Sequence, residues 1–330
     1  MNYSLDLKNV SREFRIGGMI LGTKISAVDN FNLHVERDTP WIISIVGESG
    51  CGKTTLARMI LGLLDASSGA ITLNTQTVKS LKKSKKAFLR KVQPIFQNPF
   101  TAFSSRRTVM SYLYETALRL DVAANRDEAK KVITEVLHSV GLEYDLVIGK
   151  FPNQFSGGEL QRVSIARALI PKPEFIIADE PVAMIDASLR MNIVNIFKSL
   201  KLDYNVCFIY ITHDLSTAYY VSDYIAAMYR GNLIEFGEAK TIMDNPAHPY
   251  MELLMESIPR VGKLWDENMV LPDFESKEYT MKGCRFASRC PYTKEICNTT
   301  KPPMINLSDV HSALCYRHCD YSVDETGNTT

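Results

Sequence analysis

Short apolar runs alternate along the chain with longer stretches of helical spacing. Residues 42–46, 175–178 and 206–211 are rich in β-branched and aromatic side chains, and each run is followed by a turn or helix signal. These features are typical of buried strands. The pattern predicts an α/β domain with a largely parallel sheet, which binds ligands at the carboxyl ends of its strands.

The pattern changes twice along the chain. Residues 97–168 contain few strand formers, and the spacing at 109–120 and 126–140 predicts two helices of an inserted helical subdomain. The strand–helix rhythm ends near Gly237, a break follows at 246–250, and a short helix is predicted at 251–258. From Pro259 onward the composition shifts to proline, cysteine and polar residues, which predicts a small separate tail with a disordered end at 322–330.

The composition limits the possible function classes. The chain has 330 residues, of which 45% are hydrophobic and 23% charged, and its formal net charge is +1. These values are ordinary for a globular protein and give no basic face for nucleic acid. No apolar run reaches the roughly 18 residues that span a bilayer, and residues 1–10 lack a signal-peptide core. We therefore expect a cytoplasmic protein that reaches a membrane only by docking to another protein.

A glycine-rich loop follows the first predicted strand and satisfies the pattern G-x-x-x-x-G-K-[ST]. Glycines allow backbone N–H groups to surround phosphate oxygens, Lys53 adds a positive charge near the β- and γ-phosphates, and Thr54 offers a hydroxyl to Mg²⁺. The alternative is a chance match in a glycine-rich turn. The candidate nucleotide-binding residues of this loop are Gly47, Ser49, Gly50, Cys51, Gly52, Lys53, Thr54 and Thr55.

Two adjacent carboxylates end the second predicted strand. Asp179 is expected to hold Mg²⁺ through water, and Glu180 to polarise the attacking water. An acid pair after a strand is, by itself, more often a turn or a helix cap. The phosphate loop in the same chain favours the catalytic interpretation.

A third motif lies between the phosphate loop and the acid pair. Ser156, Gly157, Gly158 and Glu159 follow Phe155 and precede a helical stretch. This segment resembles the signature of ABC ATPases, usually L-S-G-G-Q. The resemblance implies that these four residues bind the nucleotide held by an opposing subunit, in a head-to-tail dimer with two ATP molecules at its interface.

The resemblance also assigns roles to other residues. Gln97 resembles the glutamine that senses Mg²⁺ and the γ-phosphate, His213 the switch histidine, and Phe14 the aromatic side chain that stacks on adenine. A loop at 184–186 occupies the position that crosses the dimer interface. Phe155 and Glu159 depart from the usual signature, and Glu159 adds a charge that would modestly weaken ATP binding. No catalytic group is missing, so we expect an active subunit.

The resemblance implies a P-loop NTPase, RecA-like α/β core with antiparallel β and α-helical subdomains and a small Cys-rich tail. The predicted divisions are a first part of the RecA-like core with the antiparallel β-subdomain at 1–97, a helical signature subdomain at 98–168, a second part of the core at 169–240 and a C-terminal extension at 241–330.

Five of the seven cysteines lie in the last fifth of the chain, where a cluster predicts a metal or iron–sulfur site in a reducing compartment. Residues 245–250 and the cysteine segment resemble the dipeptide/oligopeptide importer ATPases, specifically the second ATPase of the pair. That resemblance implies a [4Fe–4S] cluster, whose main function would be to hold the tail together. Zinc is the alternative, because spacing alone does not separate the two, and Cys319 is a possible substitute ligand. The implied cluster ligands are Cys284, Cys290, Cys297 and Cys315.

The expected function is ATP hydrolysis that energises import of di- or oligopeptides. The implied partners are a second ABC ATPase in a heterodimer, two integral membrane permease subunits and an extracytoplasmic substrate-binding protein, with no nucleic acid. The chain would therefore work at the cytoplasmic face of the membrane. Three alternatives remain at this stage: import of oligosaccharides by the same mechanism, a non-transport ABC ATPase of DNA repair or translation, and an exporter component.

Overall fold

The computed structural model describes residues 2–16, 23–257 and 276–319. Within these ranges the strands are β1 (Tyr3–Ile16), β2 (Thr23–Arg37), β3 (Ile42–Val46), β4 (Ser68–Leu73), β5 (Gln76–Thr77), β6 (Val92–Ile95), β7 (Phe175–Asp179), β8 (Cys207–Thr212), β9 (Tyr224–Tyr229), β10 (Asn232–Glu238), β11 (Ile305–Ser308) and β12 (His311–Ala313). The helices are α1 (Lys53–Ile60), α2 (Val78–Leu81), α3 (Lys85–Lys91), α4 (Val109–Arg119), α5 (Arg126–Ser139), α6 (Tyr144–Val147), α7 (Gly157–Leu169), α8 (Ala187–Asp203), α9 (Leu215–Val221), α10 (Ala239–Asp244), α11 (Pro249–Glu256) and α12 (Glu295–Thr299).

The larger sheet has the order β11-β12-β10-β9-β3-β8-β7-β6. Strands β6, β7, β8, β3 and β9 run parallel, so their carboxyl ends meet at one edge. Alternate side chains of each central strand enter different cores: Phe208 packs with the helical subdomain, and Ile209 packs with the opposite layer. This alternation explains why the strands are uninterrupted apolar runs, because both of their faces are buried. The α/β architecture predicted from these runs is confirmed.

The other layers cover the two faces of this sheet. A four-stranded antiparallel sheet, in the order β2-β1-β4-β5, packs with α1 and one face of the large sheet. Helices α4, α5 and α7 form a core with the other face. The predicted helices at 109–120 and 126–140 each end one residue earlier in the structure, where the chain turns. None of the helices within the described ranges is long and apolar enough to cross a bilayer.

The C-terminal segment is not separate from the sheet, contrary to the prediction. β12 pairs antiparallel with β10, through Glu235 opposite Ala313 and Phe236 opposite Ser312, and β11 adds a further strand. The hairpin pairs with the edge that β10 would otherwise expose, which removes an unpaired row of backbone groups. The helix predicted at 251–258 begins at Pro249 instead, because the buried His248 side chain caps it by accepting from the Tyr250 N–H group. The end of that prediction, and the segment 322–330, lie outside the described residues, and the other domain boundaries stay a prediction.

Candidate functional site

The phosphate loop connects β3 to α1 and approaches other backbone closely. Gly47 has φ +152° and Gly52 has φ +112°, both in the region that side chains rarely adopt. A Cβ atom on Gly47 would lie 2.2 Å from the Met228 carbonyl oxygen, and one on Gly52 would lie 2.1 Å from that of Ala27. Glycine is therefore required at both positions by the neighbouring chain as well as by the turn.

The loop offers a set of donors suited to a polyphosphate. The first N–H groups of α1 have no acceptor within the helix, and its dipole places positive charge at the same end. The buried ammonium group of Lys53 donates to the carbonyl oxygens of Gly47 at 2.6 Å and Glu48 at 2.9 Å, which holds it inside the loop. Ser49, Gly50 and Thr54 are exposed, so the loop is open to a ligand from solvent.

The Cys51 side chain packs inside the loop. It is buried, and burial raises the pKa of the thiol. Lys53 Nζ lies 3.8 Å from the sulfur, which completes the packing around the ammonium group. Thr55, in the first turn of α1, is half-buried.

The first carboxylate of the acid pair faces the phosphate loop. Asp179 ends β7, and its Oδ1 atom lies 3.4 Å from the hydroxyl of Thr54. Burial raises the pKa of Asp179, so the ionised form is costly without a cation. A hydroxyl and a carboxylate are the oxygen ligands that Mg²⁺ prefers, so this pair fits a magnesium ion.

The carboxylate of Glu180 contacts two other predicted site residues, Gln97 and His213. Gln97 Nε2 donates to Glu180 Oε2 at 2.9 Å, and His213 Nδ1 lies 3.2 Å from Glu180 Oε1. The backbone of Glu180 has φ +45°, a left-handed conformation, and its N–H group donates to the Ile211 carbonyl oxygen at 2.8 Å. The ends of β6, β7 and β8 therefore bring together one carboxylate, one amide and one imidazole, and they do so at a strained backbone position.

Two contacts near Glu180 were not anticipated from sequence. Gln161, buried on α7, donates through Nε2 to the Phe96 carbonyl oxygen at 3.4 Å and so links α7 to the segment before Gln97. Arg190 donates through Nε to the Ile185 carbonyl oxygen at 3.0 Å, which holds the loop after the acid pair. A glutamine or arginine within an amphipathic helix carries no local signal for such contacts.

The signature residues form the start of α7. Ser156 caps the helix by accepting from the Glu159 N–H group at 3.2 Å, and the Glu159 carboxylate accepts from the Ser156 N–H and hydroxyl at 2.8 Å each. These hydrogen bonds hold the pKa of Glu159 below its usual range. A Cβ on Gly157 would lie 3.2 Å from the Met184 carbonyl oxygen. In the described part of the chain, no hydrogen bond joins Ser156–Glu159 to the phosphate loop.

Phe14 lies on β1 with its side chain partly exposed. The guanidinium of Arg12 lies over its ring, 4.9 Å from the centroid. Phe14 pairs with Ile25, two residues before the Ala27 carbonyl that approaches Gly52. Phe14 is therefore on the strand pair next to the phosphate loop, and its contact with adenine stays a prediction.

The predicted cluster ligands Cys284, Cys290, Cys297 and Cys315 line one cavity of about 190 Å³. The Cys284 N–H group donates to the Cys297 carbonyl oxygen at 2.7 Å, and burial raises the pKa of Cys284 to about 11. Among the described residues, no group of three or more His, Cys, Asp or Glu side chains is arranged to hold a single metal ion. Cys319 is not part of the cavity lining.

Comparison with known proteins extends this description to most of the chain. Residues 28–183 match the family described as ABC transporter, and residues 234–297 match the family described as Oligopeptide/dipeptide transporter, C-terminal region. The oligopeptide transport ATP-binding protein AppF of Bacillus subtilis (strain 168) is 34% identical over 321 residues, which cover 94% of this chain and 96% of AppF. OppF of Haemophilus influenzae (strain ATCC 51907 / DSM 11121 / KW20 / Rd), also named an oligopeptide transport ATP-binding protein, is 35% identical over 284 residues, which cover 83% of this chain and 84% of OppF.

A solved structure shows the same fold. It is a dimeric ATP-binding cassette in a post-hydrolysis state, bound to ADP and Pi, and it superposes with a TM-score of 0.63 at 26% identity. The match covers 71% of this chain and 98% of that cassette.

These features define a P-loop nucleoside triphosphatase. A glycine-rich loop between a strand and a helix presents N–H groups and a buried lysine, and an acid pair lies at the end of a nearby parallel strand. The glycine-rich start of α7, between these two motifs in chain order, places the protein in the ATP-binding cassette class. The similarity to AppF along nearly the whole chain shows the family: this chain belongs to the ATP-binding proteins of ABC transporters, and its activity is ATP hydrolysis coupled to transport.

Proposed function

We propose that this chain hydrolyses ATP to energise a membrane importer of di- and oligopeptides. The proposal that the chain hydrolyses ATP rests on one observation: Gln97 and His213 both contact the carboxylate of Glu180, beside a complete phosphate loop. The cargo is supported by the match of residues 234–297 to the oligopeptide/dipeptide transporter family and by relatives named for peptide transport.

The residues divide the work of phosphoryl transfer as follows. Lys53 and the N–H groups of α1 would hold the β- and γ-phosphates, while Thr54 and Asp179 would hold Mg²⁺, which neutralises charge on the phosphates. Glu180 would accept a hydrogen bond from the attacking water. Gln97 and His213 fix the orientation of that carboxylate.

The second phosphate-binding element would come from a partner ATPase. Ser156, Gly157 and Gly158 form a helix start that is polar and rich in glycine and that, within the residues the structure describes, has no hydrogen bond to its own phosphate loop. In a head-to-tail heterodimer these residues would face the partner's nucleotide. Two permease subunits and an extracytoplasmic binding protein complete the proposed transporter, with this chain at the cytoplasmic face of the membrane.

We propose that the four cysteines that line this cavity hold a [4Fe–4S] cluster. Zinc held by four cysteines is the alternative, because both groups take thiolate ligands. The support for this proposal is that the cavity of about 190 Å³ is lined by all four cysteines, and thiolates are the usual ligands of such clusters. The role of the cluster would be structural, since it would hold together a segment that otherwise has little core.

The cargo is tested by assembling this chain anaerobically with its partner ATPase, permease and binding protein. ATP hydrolysis is measured with the binding protein loaded with a peptide mixture or with β-linked oligosaccharides. Stimulation by peptides supports the proposal. Stimulation by oligosaccharides alone would retain the hydrolytic mechanism and refute the peptide cargo. Basal hydrolysis that neither ligand stimulates would also refute the peptide cargo, and would point to another cargo or to a non-transport ABC ATPase.

A further inference from the structure

Side chains from the C-terminal part of the chain contact the phosphate loop directly. Arg289 forms a bidentate ion pair with Glu48, with Nη2 to Oε1 at 2.9 Å and Nη1 to Oε2 at 3.0 Å. The two residues are 241 positions apart in the sequence. Glu48 is one of the variable positions between Gly47 and Gly52, so the nucleotide-binding motif does not itself require this contact.

Two tyrosines hold the backbone of the same loop. The Glu48 N–H group donates to the Tyr250 hydroxyl at 2.8 Å, and the Tyr279 hydroxyl donates to the Gly50 carbonyl oxygen at 2.6 Å. Together with Arg289, these side chains fix residues 48 and 50 at three points. We call Tyr250, Tyr279 and Arg289 the C-terminal brace.

The brace is itself rigidly held. All three of its side chains are buried, and the Arg289 guanidinium also packs against the Phe286 ring. Beside Tyr279, the buried carboxylate of Glu278 accepts from Arg230 Nε at 2.6 Å and from the Tyr229 hydroxyl at 3.0 Å. A bidentate arginine pair whose guanidinium is buried constrains geometry more than a fully exposed ion pair does, although the Glu48 side chain itself is 31% exposed.

A phosphate loop binds well only if its N–H groups already point at the ligand, because ordering them on binding costs affinity. The ends of the loop are held by Lys53 and by the neighbouring backbone, but Ser49 and Gly50 at its tip are exposed, and Gly50 has φ +81°, so the tip depends on contacts from outside the loop. We propose that Tyr250, Tyr279 and Arg289 are positioning residues that hold the phosphate loop in its binding conformation. Tyr250 reaches the loop from α11, Tyr279 from the turn at 276–280 and Arg289 from the segment between Cys284 and Cys290, and the action of the brace requires no assumption about a metal cluster or about the cargo.

The test is the affinity of the full chain for Mg²⁺–ADP, measured by titration calorimetry. Arg289→Ala is expected to weaken binding about tenfold, and Arg289→Lys less, because a lysine keeps the charge without the bidentate geometry. Tyr279→Phe removes only the hydroxyl and is expected to weaken binding by about threefold. The matched control is Arg317→Ala, which breaks an exposed pair with Glu252 at 2.7 Å in the same C-terminal part, and it should leave affinity unchanged.

A second readout separates positioning from simple destabilisation. In the assembled transporter, substitutions of brace residues should raise KM for ATP with little change in kcat, because the lost interaction stabilises bound ATP and the transition state equally. The double variant Glu48→Gln, Arg289→Ala should bind Mg²⁺–ADP no more weakly than Arg289→Ala alone, because the two substitutions break the same interaction. The proposal is overturned if the brace variants lower the melting temperature but bind Mg²⁺–ADP like the wild type, or if the two substitutions are additive.

Discussion

The substitution Glu180→Gln separates the catalytic role of this residue from its structural role. The carboxamide is nearly isosteric and keeps φ +45°, so the backbone strain is unchanged. The carboxamide oxygen can still accept from Gln97 Nε2 at 2.9 Å, and its NH2 group can donate to His213 Nδ1 at 3.2 Å when that imidazole is protonated on Nε2, so losing the charge from these contacts costs at most about 1 kcal/mol. Loss of the negative charge beside Asp179 offsets part of this cost, since Glu180 is one of the causes that raise the pKa of Asp179. The free energy of unfolding should therefore change by less than about 1 kcal/mol.

Catalysis should respond much more strongly. A group that positions or activates the attacking water typically contributes 10²–10⁴-fold in rate, which is about 3–5 kcal/mol of activation free energy. We expect the rate of phosphate release by the assembled transporter to decrease by about 10²–10⁴-fold, while the affinity for Mg²⁺–ADP stays within about twofold of the wild type. The difference between a small effect on folding and a large effect on rate is the signature of a catalytic carboxylate.

The matched control is Glu174→Gln at the other end of the same strand. Glu174 precedes β7, accepts from Asn74 Nδ2 at 2.6 Å and forms an ion pair with Lys91 at 3.3 Å, so the substitution likewise removes a carboxylate charge from two polar contacts. It lies away from the carboxyl edge and should leave hydrolysis unchanged. The reasoning is refuted if Glu180→Gln retains more than a tenth of wild-type hydrolysis, or if the Glu174 variant loses as much.

Three further changes have defined outcomes. Glu159→Gln keeps the helix cap but removes a charge near the nucleotide interface, so KM for ATP should fall about threefold; an unchanged or higher KM would contradict this. Burial lowers the pKa of His248 from its ordinary value of 6.5 to about 3. Between pH 6.5 and pH 3, only the unfolded chain therefore binds a proton at this residue. The free energy of unfolding should fall by up to about 1.4 kcal/mol for each unit that the pH is lowered in this window. His248→Asn, which can still cap α11, should show a flatter loss in urea unfolding across that window, and an equal slope would contradict the assignment. Cys290→Ser should lose bound iron and sulfide after anaerobic purification, whereas Cys319→Ser should retain both; equal contents would contradict the ligand set.

The parts of the site that could be predicted from sequence are those encoded by neighbouring residues. The phosphate loop and the acid pair follow strands that are uninterrupted apolar runs, and the parallel sheet brings their carboxyl ends to one edge. Because each motif is local, its residue types and spacing were enough to identify it. The meeting of Gln97 and His213 at Glu180 depends on three strand ends, and it was anticipated only through the family resemblance.

Contacts between distant segments could not be predicted. Arg289 and Glu48 belong to segments with no shared pattern, and their pairing depends on how the C-terminal segment folds over the loop. The hairpin of β11 and β12 consists of short strands with polar positions, so it gave no strand signal and was assigned to a separate tail. Its place in the sheet is set by the open edge of β10, which is a tertiary feature.

The central claim is that ATP hydrolysis at this site drives uptake of peptides. The most direct test is uptake of a labelled peptide by the complete transporter in proteoliposomes with the binding protein, with ATP on the side of this chain. The account predicts ATP-dependent uptake that falls to background with Lys53→Ala or Glu180→Gln and is unaffected by excess oligosaccharide. Peptide uptake that persists in both variants, or accumulation of oligosaccharide in place of peptide, would contradict it.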